Sequence, residues 1–562
     1  MKRDCLALQT TVFDAVIIGG GITGACVAYD AALRGLRVAL VEKGDFGMST
    51  SSASSKLLHG GIRYLQKLQL CKVRESARER TFFQVIAPHA TTTVPFLIPT
   101  ISGSLMKGKA ALIAGMTMYR LLCSGLNSLI RDQGKRIPAG RFFSRQQVLG
   151  LVPALQTIDG LDGAHTLFEV HMNNSERVTL AFLKTAAANR AVIANHVRML
   201  SFVQEENRIA GIVCRDELNG GEFTIHAHLV INAAGPFLPS INTLLPRARL
   251  HKDTTGFSKG VHLVTRQIEG TYALALSSGK KTEGLVTRGG RHIFIIPWRG
   301  RSLIGTTNVP FNGSLDEVRV TRRDVTDFLQ DINAILPGVS LSEADVHYAF
   351  AGLYPLISDE IKTDTYQGTG EYQVVDHAEQ GHMEGILSVL GAKYTTARAI
   401  AEQAVDVALK KLHRNPVRCQ TAYRPLVEGV GGKMASFIQT KQRQYGHLLP
   451  PAAIAHLIAS YGSEIDRVME FLQRVPGYLE PLTDNRETLT GEVAWAVAQE
   501  MAGTLEDVVF ARTGLGTIGH PGEAVLQKVF AVMATLLKWP DRRYATERER
   551  VEQRYRFLDE QP

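Results

Sequence analysis

Cysteine is scarce and scattered in this chain: six in 562 residues, at Cys5, Cys26, Cys71, Cys123, Cys214 and Cys419. No two fall at metal-ligand spacing, so a cysteine zinc site and a disulfide framework both lose support. The opening stretch MKRDCLALQTTVFD lacks an apolar core of signal-peptide length, so secretion is not expected. The longest apolar stretch, around Ala110 to Leu122, is broken by Arg120 and falls short of the ~20 residues that cross a bilayer. No basic helix interleaved with stacking aromatics appears, which argues against nucleic acid as a partner. Hydrophobic residues at 45% and charged residues at 21% exclude disordered, collagen-like and coiled-coil architectures. The expectation is an intracellular protein of about three to four domain-sized units at ~150 residues each, with no transmembrane helix.

What the chain does have is positive charge. Its 63 Lys and Arg against 54 Asp and Glu give a net +9, which favours anionic partners such as phosphorylated substrates, nucleotides or acidic lipid. A soluble protein with a basic surface is the plain alternative. Glycine, at 51 residues, leaves room for cofactor loops.

The first of these loops stands near the N-terminus, where residues 14–45 read DAVIIGGGITGACVAYDAALRGLRVALVEKGD. Ala15 to Ile18 is an apolar, β-branched run, as a buried parallel strand requires. Gly19-x-Gly21-x-x-Gly24 follows, then a helical stretch closed by Gly35, then a second apolar strand that ends on Glu42. The glycines permit a tight turn and close approach of a pyrophosphate to a helix N-terminus. Glu42 stands where a carboxylate accepts ribose hydroxyls and would repel a 2′-phosphate, which disfavours NADP. NAD and FAD share this pattern.

The following segment, GDFGMSTSSASSKLLHGGIRYLQ at residues 44–66, is more than a serine linker, because it runs into Lys56, His59, Gly60, Gly61, Arg63 and Tyr64. It resembles the flavin-contacting loop of the aerobic-type FAD-dependent glycerol-3-phosphate dehydrogenases, S-S-x-S-S-K-L-x-H-G-G-x-R-Y-L. Three more stretches match in the family's order: Ala191 to Val197, Leu229 to Pro236, and Leu390-Gly-Ala-Lys-Tyr-Thr-Thr-Ala-Arg398. The resemblance spans roughly Phe13 to Lys538 and implies FAD as cofactor. It places Thr50, Ser51, Ser55 and Lys56 at the diphosphate and ribityl chain, and His59, Gly60 and Gly61 near the ring. Val197 would lie beside the adenine, Ala234 and Gly235 at the pyrophosphate, and Gly391, Lys393 and Thr395 at the flavin.

By the same resemblance the fold is α/β. It comprises a Rossmann-like, glutathione-reductase-type FAD-binding domain, an antiparallel β substrate domain and an all-α C-terminal domain. The expected division is FAD-binding parts at 12–100, 151–244 and 361–412, a cap or membrane-interfacial insert at 101–150, a substrate domain at 245–360, and a helical domain at 415–562. Strands are expected at 260–264, 292–297, 303–307 and 352–356, and a polar helix at 321–335. Helical spacing recurs at Ala452 to Gln473, Glu492 to Arg512 and Gly522 to Lys538, with a capping box at Thr504 and Asp507. Residues 101–136 carry six basic residues and one acidic, Asp132, among apolar ones. That composition fits a helix lying on anionic lipid, and equally a cap helix buried against the substrate domain.

Oxidising a secondary alcohol with FAD needs a hydride path, a base for the hydroxyl proton and cations for an anionic tail. The positions that match the family's motifs are His262, Lys393 and Arg63 as catalytic groups, with Arg63, Tyr64, Tyr354, Asn308 and Thr395 at the substrate. Arg63 and Lys393 read as anion clamps or as surface charges, and His262 as base or core histidine. Three departures stand out. Tyr354 replaces the arginine of G-x-R-P-L, Asn308 replaces the aspartate of G-T-T-D, and Ser175-Glu-Arg-Val178 replaces D-A-R-L. The implied reaction is oxidation of sn-glycerol 3-phosphate, a phosphorylated polyol, to dihydroxyacetone phosphate. The implied acceptor is quinone, with peripheral attachment to the cytoplasmic face of the membrane; a homodimer is open. A paralogue acting on another hydroxy acid, polyol or amine is the alternative. A non-catalytic flavin-binding or tRNA-associated module is a third reading, disfavoured by the convergent Arg63, His262 and Lys393. No metal is expected.

Overall fold

The computed structural model describes residues 1–65, 68–103, 108–245, 256–277, 292–356, 372–379, 383–391 and 393–559. Lys107, the whole of 361–371 and parts of the expected substrate domain (246–255, 278–291, 357–360) lie outside the described residues. The strand Phe13–Ile18 is buried at every position, because it is central in a sheet that has eight strands among the described residues. It runs parallel to Val38–Val41 on one side and to Glu222–Asn232 on the other. Val192–Ala194 and Ile386–Leu390 extend the parallel set outward. One face is covered by the helices Ile22–Leu33, Ser175–Ala188 and Ala397–Lys411, which share a core with Ile17, Leu40 and Ile231. The other face is covered by the hairpin Val197–Glu205 and Arg208–Asp216, through Ile209, Ile212 and Cys214. With both faces buried, the strands read as continuous apolar runs.

Among the described residues the second sheet has ten strands. Gly256–Thr265, Arg301–Gly305, His292–Trp298 and Val346–Leu356 form its antiparallel centre. Val261 and Leu263 pack with Phe328, Leu329 and Ile332 of the helix Arg322–Ile335. Strand alternation therefore turns Gly260 and His262 to the opposite face, toward the flavin loop. The sheet also extends beyond the expected 245–360. Thr91–Ile101 and Leu161–Met172 form a long antiparallel pair that joins it through Ala273–Ser277. The sequence division had put these two strands in the FAD-binding parts. Pro95 and Pro99 interrupt the alternation of the first and hid it as a strand.

The C-terminal region is helical, with Met434–Tyr445, Pro451–Tyr461, Ile465–Leu472, Thr490–Glu500, Glu523–Leu537 and Arg543–Gln553. The run expected over 452–473 is two helices. Gly462 takes φ +50 against Glu428, where a Cβ would stand 1.9 Å from the Glu428 carbonyl oxygen. The run over 492–512 breaks likewise, at Met501 with φ +60. Thr504 and Asp507 do cap each other, the Asp507 amide donating to Thr504 Oγ1 at 3.2 Å and the Thr504 amide to Asp507 Oδ2 at 3.0 Å.

Candidate active site

Close backbone approaches gather the predicted nucleotide residues at the C-terminal end of the parallel strands. Gly19, with φ +106, would drive a Cβ to 2.8 Å from the Ala233 carbonyl oxygen and 2.9 Å from Ala234 Cα. Gly24 would put one 1.9 Å from the Gly19 carbonyl oxygen, and Gly391 one 2.5 Å from Thr23 Oγ1. Gly21 is the N-cap of Ile22–Leu33 and offers no side-chain cap, leaving the helix end to backbone amides. Ser51 Oγ stands at that end, accepting from the Ile22 amide at 2.9 Å. Glu42 accepts from the Gly20 and Gly44 amides at 2.7 and 2.9 Å, and each carboxylate oxygen keeps a lone pair for a hydroxyl donor. Gly235, at φ +56, opens the turn after Glu222–Asn232. These groups fit FAD: a glycine cradle, a helix N-terminus whose only side-chain partner among the described residues is the small Ser51 hydroxyl, and an acid placed for a ribose. Val197 gives its N–H to the Glu42 carbonyl at 2.8 Å, so that amide is already engaged.

Within the serine run the hydroxyls divide their work. Thr50 Oγ1 donates to the Leu353 carbonyl at 2.9 Å, tying the loop to the second sheet, while Ser55 Oγ meets His262 Nε2 at 2.9 Å. Lys56 is closed off from a diphosphate, because its ammonium is fully buried. It donates to Glu176 at 2.7 and 2.9 Å, Ser175 Oγ at 3.0 Å and the Ser52 carbonyl at 2.8 Å. The acid of D-A-R-L stands one position later here, as Glu176, and it meets this lysine.

The predicted base, His262, stands on one row of the second sheet with two aromatic rings. Phe294 pairs with Gly305, Gly305 with His262, and His262 with Phe350. Directly paired residues share a face, so Phe294, His262 and Phe350 project together, and Gly305 leaves a gap between the first two. The His262 ring leans over that gap and stacks on Phe350 at 5.1 Å. Burial and the Lys56 charge lower its pKa to about 3, so it is a neutral imidazole. At the other end of the row Phe294 receives His59 at 5.6 Å and the Arg63 guanidinium at 5.9 Å. Burial and the neighbouring Arg63 and Lys393 lower His59 to about 3 as well. The His59 amide donates to Thr395 Oγ1 at 3.1 Å. Lys393 donates to Ser76 Oγ at 2.6 Å, lies 4.5 Å above the Tyr64 ring, and is lowered by burial to about 8. Adjacent strands are about 4.8 Å apart, so two steps separate the Phe294 and His262 backbones by about 10 Å, and the His262 ring fills part of that span. Tyr354 and Asn308, the two departures, meet each other: the tyrosine hydroxyl donates to Asn308 Oδ1. Tyr354 leans toward Gly260, two residues along the strand from His262.

Several supporting residues had no signal in the motifs. Glu169 accepts from the Gly60 amide at 2.8 Å and from Arg80 at 2.6 Å. Gly60 is confined by Arg80 and Tyr119, and Gly61, at φ +79, by Ser76. Ser76, Glu79, Arg80 and Gln84 are all buried on the helix Leu70–Ile86. Such a concentration of polar side chains on one helix was the available clue. Tyr119 belongs to the helix Lys109–Leu122, whose inner stripe is Leu112, Met116 and Tyr119 while Ile113, Met118 and Leu121 are exposed. The helix thus has one face buried as a cap helix would be and one face exposed. Lys135 faces inward, donating to the Thr91 carbonyl, which removes one cation from that surface. Asp45, His196 and Asp507 lie close enough to hold a metal, but Arg512 already pairs with Asp45 and His196 with Asp507.

Comparison with known proteins agrees with this geometry. The profile described as "FAD dependent oxidoreductase" matches residues 14–406, and that of the "C-terminal domain of alpha-glycerophosphate oxidase" matches residues 419–544. The "Glycerol-3-phosphate dehydrogenase" of Synechocystis is 32% identical over 525 residues, covering 92% of this chain and 91% of that one. The "Glycerol-3-phosphate dehydrogenase 2" of Mycobacterium tuberculosis is 33% identical over 556 residues, covering 97% and 89%. The crystal structure of the Bacillus halodurans glycerol-3-phosphate dehydrogenase, solved with FAD, superposes with a TM-score of 0.75 at 26% identity, covering 98% of this chain and 95% of that one. A flavin cradle at the parallel sheet, a histidine row across an antiparallel one and a helical C-terminal domain meet in one chain, which belongs to the glycerol-3-phosphate dehydrogenase family of FAD-dependent oxidoreductases.

Proposed function

We propose that this enzyme oxidises sn-glycerol 3-phosphate to dihydroxyacetone phosphate. The observation that carries the reading is the row with a neutral His262 at one end and the Arg63–Lys393 pair at the other. FAD, when bound, supplies the two-electron hydride acceptor. Arg63 and Lys393 hold the phosphate, Arg63 as a planar bidentate donor and Lys393 as a point charge fixed by Ser76. His262 takes the hydroxyl proton. Nε2–H donated to Ser55 leaves Nδ1 with an unpaired lone pair, and this buried atom has no hydrogen-bond partner among the described residues. The opposite tautomer would bury an unpaired N–H, the costlier arrangement. Phe294 and Phe350 flank the row and keep water from it.

Quinone is the acceptor we assign, at a membrane surface met by the helix Lys109–Leu122 on the cytoplasmic side. The exposed Leu121, 70% accessible, stands there with Met118, Ile113, Lys109 and Arg120. No helix among the described residues is long and apolar enough to cross a membrane, so attachment by this face is peripheral. The neutral Tyr354–Asn308 pair favours a second reading, a paralogue that oxidises another hydroxy acid, polyol or amine. Anaerobic titration of the holoenzyme decides between them. Bleaching of the visible flavin band by glycerol 3-phosphate is the expected result. Bleaching only by a different hydroxy acid or an amine would replace the first reading with the second.

A further inference from the structure

The geometry points to Lys56, clamped by Glu176, as the positioning residue of His262. It fixes the turn at 54–56 so that the Ser55 hydroxyl is delivered to Nε2 and Nδ1 is kept as the proton acceptor. This rests on the reading that His262 accepts the hydroxyl proton.

Lys56 has φ +55, a left-handed conformation that a lysine adopts only when its surroundings impose it. Five groups impose it here. Its ammonium is taken by Glu176, Ser175 Oγ and the Ser52 carbonyl. Its amide donates to Ser54 Oγ at 3.1 Å, and its carbonyl accepts from the Met172 amide at 2.7 Å. The next residue back is Ser55, whose hydroxyl meets His262. The helix N-terminus at Ser175–Ala188, capped by Asn174, holds Glu176 rigidly, so the clamp is anchored in the flavin domain while His262 belongs to the second sheet. The pair thus sets the register between the two sheets at the reacting atom. Its charge acts too. Lys56 is the one ionised group that faces His262 among the described residues: the strand Val346–Leu356 contributes Phe350, the strand Arg301–Gly305 contributes Gly305, and the serine loop contributes Ser55 and Lys56. An ammonium beside the imidazole opposes its protonation, so the resting ring is neutral with its lone pair unprotonated, though less basic.

A double-mutant cycle tests this. Lys56→Met with Glu176→Leu removes both buried charges together, and Ser55→Ala removes only the contact to His262. Each is measured as kcat per bound flavin, with FAD content and Tm recorded. Both should lower kcat about tenfold or more with KM within about twofold, and the combination should fall no further. A purely structural lysine would lower Tm and FAD content, leave kcat per flavin unchanged and add to Ser55→Ala, which would overturn the proposal. Unchanged kcat in Ser55→Ala overturns it as well, even if the double variant fails to fold. Titration of the ring nitrogens by 15N-histidine NMR needs no substrate. His262 should stay neutral to below pH 5 in the wild type and titrate at higher pH in Lys56→Met with Glu176→Leu. Identical titration would remove the electrostatic half of the proposal. His262→Ala with wild-type kcat would sink the base assignment itself, and with it the role of Lys56, while leaving the substrate assignment intact.

Discussion

At Tyr354 the site offers one neutral hydroxyl, already given to Asn308, where an arginine would offer a charged fork. A hydrogen bond to a charged group is worth ~1.5–3 kcal/mol, so restoring the charge is a measurable change. The double variant Tyr354→Arg with Asn308→Asp should lower KM for glycerol 3-phosphate about tenfold or more. The single Tyr354→Arg should gain less, because Asn308 supplies no counter-ion to orient the new side chain. In both, kcat should move less than KM, since His262 and the flavin set the hydride geometry. Lys393 makes a second prediction. Burial lowers its ammonium to about 8, so the charge is present below that pH and lost above it. KM for the phosphate should therefore rise as pH passes 8, and Lys393→Arg, charged throughout, should flatten the rise. At this scale the glycines, Glu42 and Ser51 were legible, because a cradle without side chains and an acid at fixed spacing leave marks in sequence. Ser76, Arg80 and Glu169 were not. They meet the site only through the tertiary packing of the helix Leu70–Ile86 against the strand Leu161–Met172.

The helix Lys109–Leu122 spends one stripe on the protein, at Leu112, Met116 and Tyr119, and leaves Ile113, Met118 and Leu121 to the outside. Each near-surface cation adds up to ~1 kcal/mol on an anionic bilayer. Co-sedimentation with phosphatidylserine vesicles should fall with added salt, and fall again when Lys109 and Arg120 become Glu. Equal pelleting of variant and wild type would make the helix structural only. Tyr119 touches Gly60 of the flavin loop, so this helix is the element that joins the proposed surface to the ring site. Element types were mostly readable from period: the buried parallel strands as apolar runs, the strand Gly256–Thr265 and the helix Arg322–Ile335 in their expected places. The break at Gly462 was not readable, because it is set by the close approach to Glu428 while the apolar spacing continues across it. The break after Met501 was marked by the capping box at Thr504 and Asp507.

Across the whole molecule, the flavin domain and the helical domain are joined by buried charge. Arg177 donates to Glu500 at 2.6 Å and Glu428 at 3.1 Å, and Lys184 meets Glu428, Glu464 and Glu500. Breaking such a network from one side strands the remaining charges, so Arg177→Ala should cost ~3–5 kcal/mol by denaturant titration. The cations hold Glu428 and Glu500 below the usual carboxylate range despite burial. Their contribution is therefore present above the unfolded carboxylate value of ~4.5 and lost as pH falls beneath it, and Tm should drop across that window.

The strand Phe13–Ile18 finds one neighbour in Val38–Val41, but its other neighbour, Glu222–Asn232, is flanked in turn by Ile386–Leu390. A ribosome adding ~5–20 residues per second delivers Leu390 about 20 to 75 s after Ile18. For that interval the growing parallel sheet has one open, apolar edge, first at Phe13–Ile18 and then at Glu222–Asn232. A fragment ending before Ile386 should therefore be recovered as aggregate even though it carries every glycine of the nucleotide loop.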